Sequence, residues 1–184
     1  MTQQAKRLIY LTGFMGSGKS TIGPIVANTI GFEFLDLDAL VEKKAGKKVV
    51  EVFQSEGEAK FRTMERELLA KVSGYDGFVI ALGGGTITDD GICRLIRSTG
   101  LLIYLQLQPE EIHRRVKHRQ DRPLLHTAEG KIASDEELQS KINGLLQARE
   151  KFYRQADIVI PVDHKRIGDT VDAIVKLLPK FGRL

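Results

Sequence analysis

The run Gly13-Phe14-Met15-Gly16-Ser17-Gly18-Lys19-Ser20 constrains this 184-residue chain more than any other feature. It matches the spacing G-x-x-x-x-G-K-[ST] in full, with Thr21 following, and an apolar strand-like segment precedes it while a helical pattern follows. The glycines let the backbone curl so that successive N–H groups turn toward anionic oxygens. The positive end of the following helix points at the same place. Lys19 can reach the outer phosphates of a nucleotide, and the Ser20 hydroxyl can ligate Mg²⁺. A glycine-rich structural turn is the alternative, set against a match that is complete and correctly placed.

The rest of the chain alternates in the same way. Short apolar runs at Leu8–Thr12, Phe32–Leu35, Phe78–Leu82, Leu101–Leu107 and Ile158–Val162 read as strands buried on both faces. Helical patterns cover Lys19–Ile30, Asp38–Ala45, Glu58–Ser73, Asp89–Ser98, Pro109–Arg119, Asp135–Gln155 and Arg166–Leu178. This predicts an open, doubly wound α/β fold with a parallel sheet, right-handed crossovers and one domain over residues 1–184. Lys117–Ala133 departs from the pattern: it is polar, contains Arg122-Pro123 and Glu129-Gly130, and reads as a mobile lid or as a plain surface loop.

Charge and composition narrow the partners. The net charge of +4 comes from scattered basic residues, apart from the stretch His113–Arg122. No basic run is interleaved with aromatic residues for stacking bases, so nucleotide phosphates are favoured over nucleic acid. No segment approaches 18 uninterrupted apolar residues, and Met1–Arg7 run straight into Leu8–Leu11 without a separate signal-peptide core. With a single cysteine, Cys93, read as a small apolar core residue, the expectation is a cytoplasmic enzyme without an intrachain disulfide. His113, His118 and His126 do not form a metal-ligand spacing with one another.

Three further groups sit where a parallel sheet binds ligands. Asp36 and Asp38 lie at the end of the second predicted strand: Asp36 could hold a water of a Mg²⁺ shell, and Asp38 could orient or deprotonate an acceptor hydroxyl. The plainer reading is that Asp38 caps the next helix. Arg62 pairs with Glu58 at i, i+4, and Phe61 with Glu65, which would also suit a solvated helix face. Gly83-Gly84-Gly85 ends the third strand, and three consecutive glycines there suggest close approach of backbone to a ligand. The phosphate loop is shared by GTPase switches, ATPase motors and metabolite kinases. No Asn/Thr-Lys-x-Asp guanine-reading motif is present and the chain is short for a motor, which leaves a small-molecule or nucleotide kinase.

Together these residues resemble the shikimate kinase family over nearly the whole chain. The resemblance rests on Gly13–Thr21, Asp36-Leu37-Asp38, Gly57-Glu58-x-x-Phe61-Arg62-x-x-Glu65, Leu82-Gly83-Gly84-Gly85, Arg122-Pro123-Leu124-Leu125 and Arg149-x-x-x-Tyr153. It implies a three-layer P-loop NTPase fold with a five-stranded parallel sheet, helices on both faces and a mobile lid. The implied reaction is ATP plus shikimate giving ADP plus shikimate 3-phosphate, with Mg²⁺ held near Ser20 and Asp36. Gly16, Ser17, Gly18, Lys19, Ser20 and Thr21 would bind the nucleotide, with Arg115 against the adenine and Arg122 closing over the transferring phosphoryl. Asp38 would position the attacking hydroxyl, Arg62 and Arg149 would clamp the carboxylate, and Gly83, Gly84 and Gly85 would approach the substrate. A cytoplasmic monomer without nucleic-acid or membrane partners is implied as well. Leu37 departs from the small or hydroxylated residue expected between the aspartates. A gluconate kinase, a nucleoside monophosphate kinase or a non-catalytic nucleotide-binding regulator are the alternatives; the Arg62/Arg149 pair and the triple glycine favour a compact carboxylated acceptor.

Overall fold

A computed structural model describes residues 8–117 and 134–181 of the chain. Five strands, β1 (Leu8–Thr12), β2 (Glu33–Asp36), β3 (Phe78–Ala81), β4 (Leu101–Gln106) and β5 (Ile158–Pro161), form one sheet in the order β2-β3-β1-β4-β5. Every adjacent pair is parallel, as the continuous apolar runs predict. The helices are α1 (Lys19–Ile30), α2 (Leu37–Ala45), α3 (Val49–Val72), α4 (Asp90–Thr99), α5 (Pro109–Val116), α6 (Asp135–Tyr153) and α7 (Ile167–Leu177), closed by a 3-10 turn at Leu178–Phe181.

Both faces of the sheet are covered, and the two-residue period of a strand decides which side chain goes where. Ile9 and Leu11 of β1, with Ile103 and Leu105 of β4, pack against Ile22 and Val26 of α1 and Val171 and Ile174 of α7. Their neighbours Leu8, Tyr10 and Leu102 point the other way, onto Leu69 and Val72 of α3 and Ile92, Cys93 and Ile96 of α4. Cys93 is thus a small core residue, as its sequence context predicts. Among the described residues, no helix is long and apolar enough to cross a membrane.

Because the strands all run one way, their carboxyl ends share one rim, and the loops after β1, β2, β3 and β5 meet there. Two details depart from the sequence-based reading. Helix α3 starts at Val49, nine residues earlier than Glu58, and is broken at Gly57 (φ 82°, ψ 166°). The early half is held by tertiary packing of Val49 and Val52 against Val41, Phe61 and Met64. Glu42 accepts the Val49 N–H and Glu51 the Lys48 N–H, which closes the helix start. The second departure concerns the cap of α2. Asp36, not Asp38, is that cap: Oδ1 of Asp36 accepts the N–H groups of Asp38 (3.0 Å) and Ala39 (3.3 Å).

Gly100, just before β4, shows how tightly the sheet is closed at its other end. A Cβ there would collide with the Leu8 carbonyl oxygen and stand 2.9 Å from the Leu8 carbonyl carbon, and this obstacle is backbone that cannot swing aside. Gly100→Ala should therefore lower stability toward the upper end of the about 1–3 kcal/mol typical of overpacking. Thermal denaturation checks this, and an unchanged Tm would show that β1 and β4 part at no cost.

Candidate active site

The phosphate loop spans Gly13–Gly18 between β1 and α1, with positive φ at Gly13, Gly16 and Gly18 (142°, 80° and 95°). Residues with a Cβ adopt such angles only under strain, so the glycine spacing is a backbone requirement. Lys19 folds back beneath the loop, its Nζ donating to the carbonyls of Gly13 (2.7 Å) and Phe14 (3.2 Å). Ser20 donates its hydroxyl hydrogen bond to Asp36 Oδ2 (2.7 Å). A cavity of about 460 Å³ opens above this loop, lined by Gly16 to Thr21, by Asp36 and Asp38, and by Arg115. All six residues expected to hold the nucleotide through the loop are thus brought together, and Arg115 reaches them from α5.

A second cavity, of about 430 Å³, lies beside the first and is lined by Asp38, Arg62, Arg149 and the three glycines Gly83, Gly84 and Gly85. The two share Met15, Asp38 and Gly84, so Asp38 stands at their common wall. The glycines are needed for space. A Cβ on Gly83 would meet Asp38 Oδ1 at 2.7 Å and Glu65 Oε1 at 2.8 Å, and one on Gly85 would collide with the Arg62 guanidinium.

Arg62 is held from two sides: Nη1 donates to Glu65 (2.8 Å), and Nε and Nη2 donate to Glu58 (3.3 and 3.2 Å). Its pairing with Glu58 was legible as an i, i+4 spacing, while that with Glu65 was not. Arg149 donates from Nη1 to the Gly84 carbonyl (3.0 Å) and lies 5.7 Å from the centroid of the Phe14 ring. The same carbonyl accepts the hydroxyl of Tyr153, one turn on along α6, which is fully buried against Tyr104.

Sequence reasoning missed several wall residues. Lys165, Ile167 and Thr170, after β5, line the first cavity, and no spacing rule reaches that far along the chain. Val49 and Phe53 form an apolar wall of the second cavity together with Leu145; the first two belong to the half-helix that was not anticipated. Arg122, and all but Lys117 of the expected lid, lie outside the described residues, as do His118 and His126.

Paired oxygens suit a hard divalent cation: the Ser20 hydroxyl and an Asp36 carboxylate oxygen face one cavity at hydrogen-bond distance. Among the described residues, no cluster of three or more His, Cys, Asp or Glu side chains could cage a metal. Few protein ligands, with the remainder from phosphate and water, is the usual mode for Mg²⁺.

Glu65 is the most deeply buried acid of the site, 2% exposed, and it also accepts the Thr86 hydroxyl (2.5 Å). Burial pushes its carboxyl above the usual carboxylate range; Arg62 and Thr86 pull it part of the way back, while the neighbouring charge of Asp38 adds to the rise. The folded state therefore binds more protons than the unfolded one just above the ordinary glutamate value, about 4.3, and stability falls as pH rises through that interval. Glu65→Gln should remove this slope, so the stability difference between variant and parent moves in the variant's favour as pH rises from about 4. Parallel pH dependences in chemical denaturation would show that the carboxyl is not raised.

Comparison with known proteins agrees with the geometry. The family model described as shikimate kinase matches residues 15–179. A shikimate kinase of Chlorobaculum tepidum is 46% identical over 176 residues, covering 96% of this chain and 92% of that protein. One from Chlorobium limicola is 45% identical over 176 residues, covering 96% and 88%. The solved shikimate kinase of Acinetobacter baumannii, in complex with shikimate, superposes with a TM-score of 0.86 at 31% identity, covering 96% of this chain and 95% of that one. This chain, with its phosphate loop and its arginine-flanked second cavity on one sheet rim, belongs to the shikimate kinase family.

Proposed function

We propose that the chain transfers the γ-phosphoryl of ATP to the 3-hydroxyl of shikimate, giving ADP and shikimate 3-phosphate. The observation that carries this reading is the shared wall: a phosphate-cradling cavity and a cation-flanked cavity meet at Asp38 and Gly84. A phosphoryl group crossing from one to the other passes Asp38.

The chemistry then divides among named side chains. The loop amides and Lys19 hold the triphosphate, and Lys19 exchanges its carbonyl partners for phosphate oxygens, which bind an ammonium more strongly. Ser20 and Asp36 would hold Mg²⁺, which supplies neutralisation of charge on the phosphates when bound. Arg62 and Arg149 clamp the acceptor carboxylate, a bidentate task that suits guanidinium. Asp38 accepts a hydrogen bond from the attacking hydroxyl and orients its oxygen toward phosphorus. As the new O–P bond forms, the bond from phosphorus to the β–γ bridging oxygen breaks, the electron pair leaves with ADP, and the hydroxyl proton is released. The apolar wall of Val49, Phe53 and Leu145 faces the carbocyclic ring. We also assign the chain, as a single domain and a monomer, to the cytoplasm.

The direct test is ADP release from Mg·ATP with shikimate, with gluconate and AMP in parallel. Turnover with shikimate alone supports the reading, and release without an acceptor, or only with gluconate or AMP, overturns it. Asp38→Asn should lower kcat by about 10²–10⁴-fold with the KM for ATP little changed. An equal loss of Tm and activity would instead mark Asp38 as structural. Arg62→Lys should raise the KM for shikimate on the order of tenfold by losing the bidentate fork, and an unchanged KM would remove Arg62 from the clamp.

A further inference from the structure

The reaction as proposed gives no role to Glu111, although it is among the most buried charged groups of the described residues, 5% exposed on α5. A buried carboxylate needs partners. Here they are two consecutive arginines: Arg114 donates from Nε to Oε2 (2.9 Å) and from Nη2 to Oε1 (2.7 Å), and Arg115 donates from Nε to Oε1 (2.6 Å). These guanidinium contacts, those of Arg114 foremost, hold the Glu111 carboxyl down at about 2, so it is charged at any working pH.

The two arginines differ in what lies beyond the carboxylate. Arg114 is 67% exposed, and among the described residues its hydrogen bonds go to Glu111 alone. Arg115 continues: Nη1 donates to the Gly16 carbonyl (3.2 Å) and Nη2 to the Val162 carbonyl (3.3 Å). Gly16 belongs to the phosphate loop and Val162 follows β5, and both line the same cavity as Arg115. One guanidinium therefore ties two walls of that cavity together, with one N–H from each of its three nitrogens committed to protein oxygens. With its edges so engaged, the group offers a ligand chiefly its flat face, and such a face stacks on a planar ring. Of the three anchors Glu111 is the only charged one, and its bond to Nε is the shortest.

We propose that Glu111 is a positioning residue of the nucleotide site: it fixes the Arg115 guanidinium so that it joins the phosphate loop to the connection after β5 and turns its face to the base. This rests on the reading that the cavity at the phosphate loop takes ATP. Glu111 acts only through Arg115, and its effect is confined to the nucleotide side, since it is not among the residues that line the second cavity.

The test uses the whole enzyme and four variants, with ADP binding by calorimetry and steady-state KM values for ATP and shikimate. Glu111→Gln keeps the side-chain volume and removes the charge. It should raise the ADP Kd and the KM for ATP about tenfold, the worth of one charge-assisted hydrogen bond, and leave the KM for shikimate within about twofold. Arg114→Gln removes two of the three bonds to Glu111 but spares that of Arg115, and should leave ADP binding at the parental level. In an Arg115→Gln background, adding Glu111→Gln should weaken ADP binding no further, the signature of one residue acting through another. A purely structural Glu111 would lower Tm without separating the two KM values. The proposal is overturned by unchanged ADP affinity in Glu111→Gln, by an equal loss in Arg114→Gln, or by additivity in the double variant. Should Glu111→Gln fail to fold, Glu111→Asp, which keeps the charge and shortens its reach, takes its place with the same expectation. A parent enzyme that binds ADP but shows no shikimate-dependent turnover would overturn the assigned reaction and leave the role of Glu111 standing on the ADP data alone.

Discussion

The absence of side chains at Gly83 and Gly85 is the constraint on which the second cavity depends. Asp38 comes from α2, Arg62 and Glu65 from α3, and Arg149 and Tyr153 from α6, three helices with no reason of their own to converge. They converge on the backbone just after β3 because nothing stands in the way. Asp38 and Glu65 oxygens approach so closely that they would clash with a Gly83 Cβ, and the Arg62 guanidinium would clash with a Gly85 Cβ. The Gly84 carbonyl between them is gripped by Arg149 and Tyr153. Three flexible residues are costly to order, and the hydrogen bonds and ion pairs gathered around them offset that cost.

The parallel sheet explains why the two cavities touch at all. With β3 beside β1, the glycine segment and the phosphate loop leave adjacent strand ends, and a Cβ built on Gly84 would stand 3.5 Å from the Gly13 carbonyl oxygen and the Met15 nitrogen of the loop. With β2 beside β3, Asp36 and Asp38 arrive from the next strand along. Asp36 spends one oxygen on the α2 amides and the other on Ser20, which locks the helix start to the loop. Asp38, two residues on, is then set in the first turn of α2 at the wall between the cavities. The pair of aspartates thus has a strict internal order, imposed by the strand-to-helix transition.

That order marks the limit of what the sequence alone discloses. Among the described residues, the five strands and the seven helices, apart from the first half of α3, were legible, because β-branched apolar runs and a helical period alternate with little ambiguity. The phosphate loop was legible because its glycine spacing and Lys-Ser pair have few other uses. Which aspartate caps α2 was not, since both types cap equally well and the answer depends on the extended backbone at Asp36. Nor was the Val49–Gly57 half of α3, where valines at 49, 50 and 52 favour strand locally and packing on Val41, Phe61 and Met64 overrides them. Glu65 and Tyr153 stood in plain view within recognisable motifs, yet their tasks became visible only once distant residues, Thr86 and Gly84, were placed beside them.

The electrostatics of the second cavity distinguish the two arginines proposed to clamp the acceptor carboxylate. Arg62 has two carboxylates within hydrogen-bond distance, Glu58 largely exposed and Glu65 almost fully buried. Its charge is offset and its direction fixed, because a buried acid in low dielectric holds a partner more firmly than a solvated one. Arg149 leans instead on a carbonyl and on the face of Phe14, and among the described residues no carboxylate is paired with it. Its charge is therefore less compensated than that of Arg62. In the proposed reaction Arg149 supplies most of the attraction for an anionic acceptor, and Arg62 supplies most of its orientation. Glu65 sharpens the division: it sits close enough to Asp38 for the two charges to repel, and Arg62 beside it partly relieves that repulsion. The positioning of the carboxylate and the placement of the attacking hydroxyl are thereby linked through one buried acid.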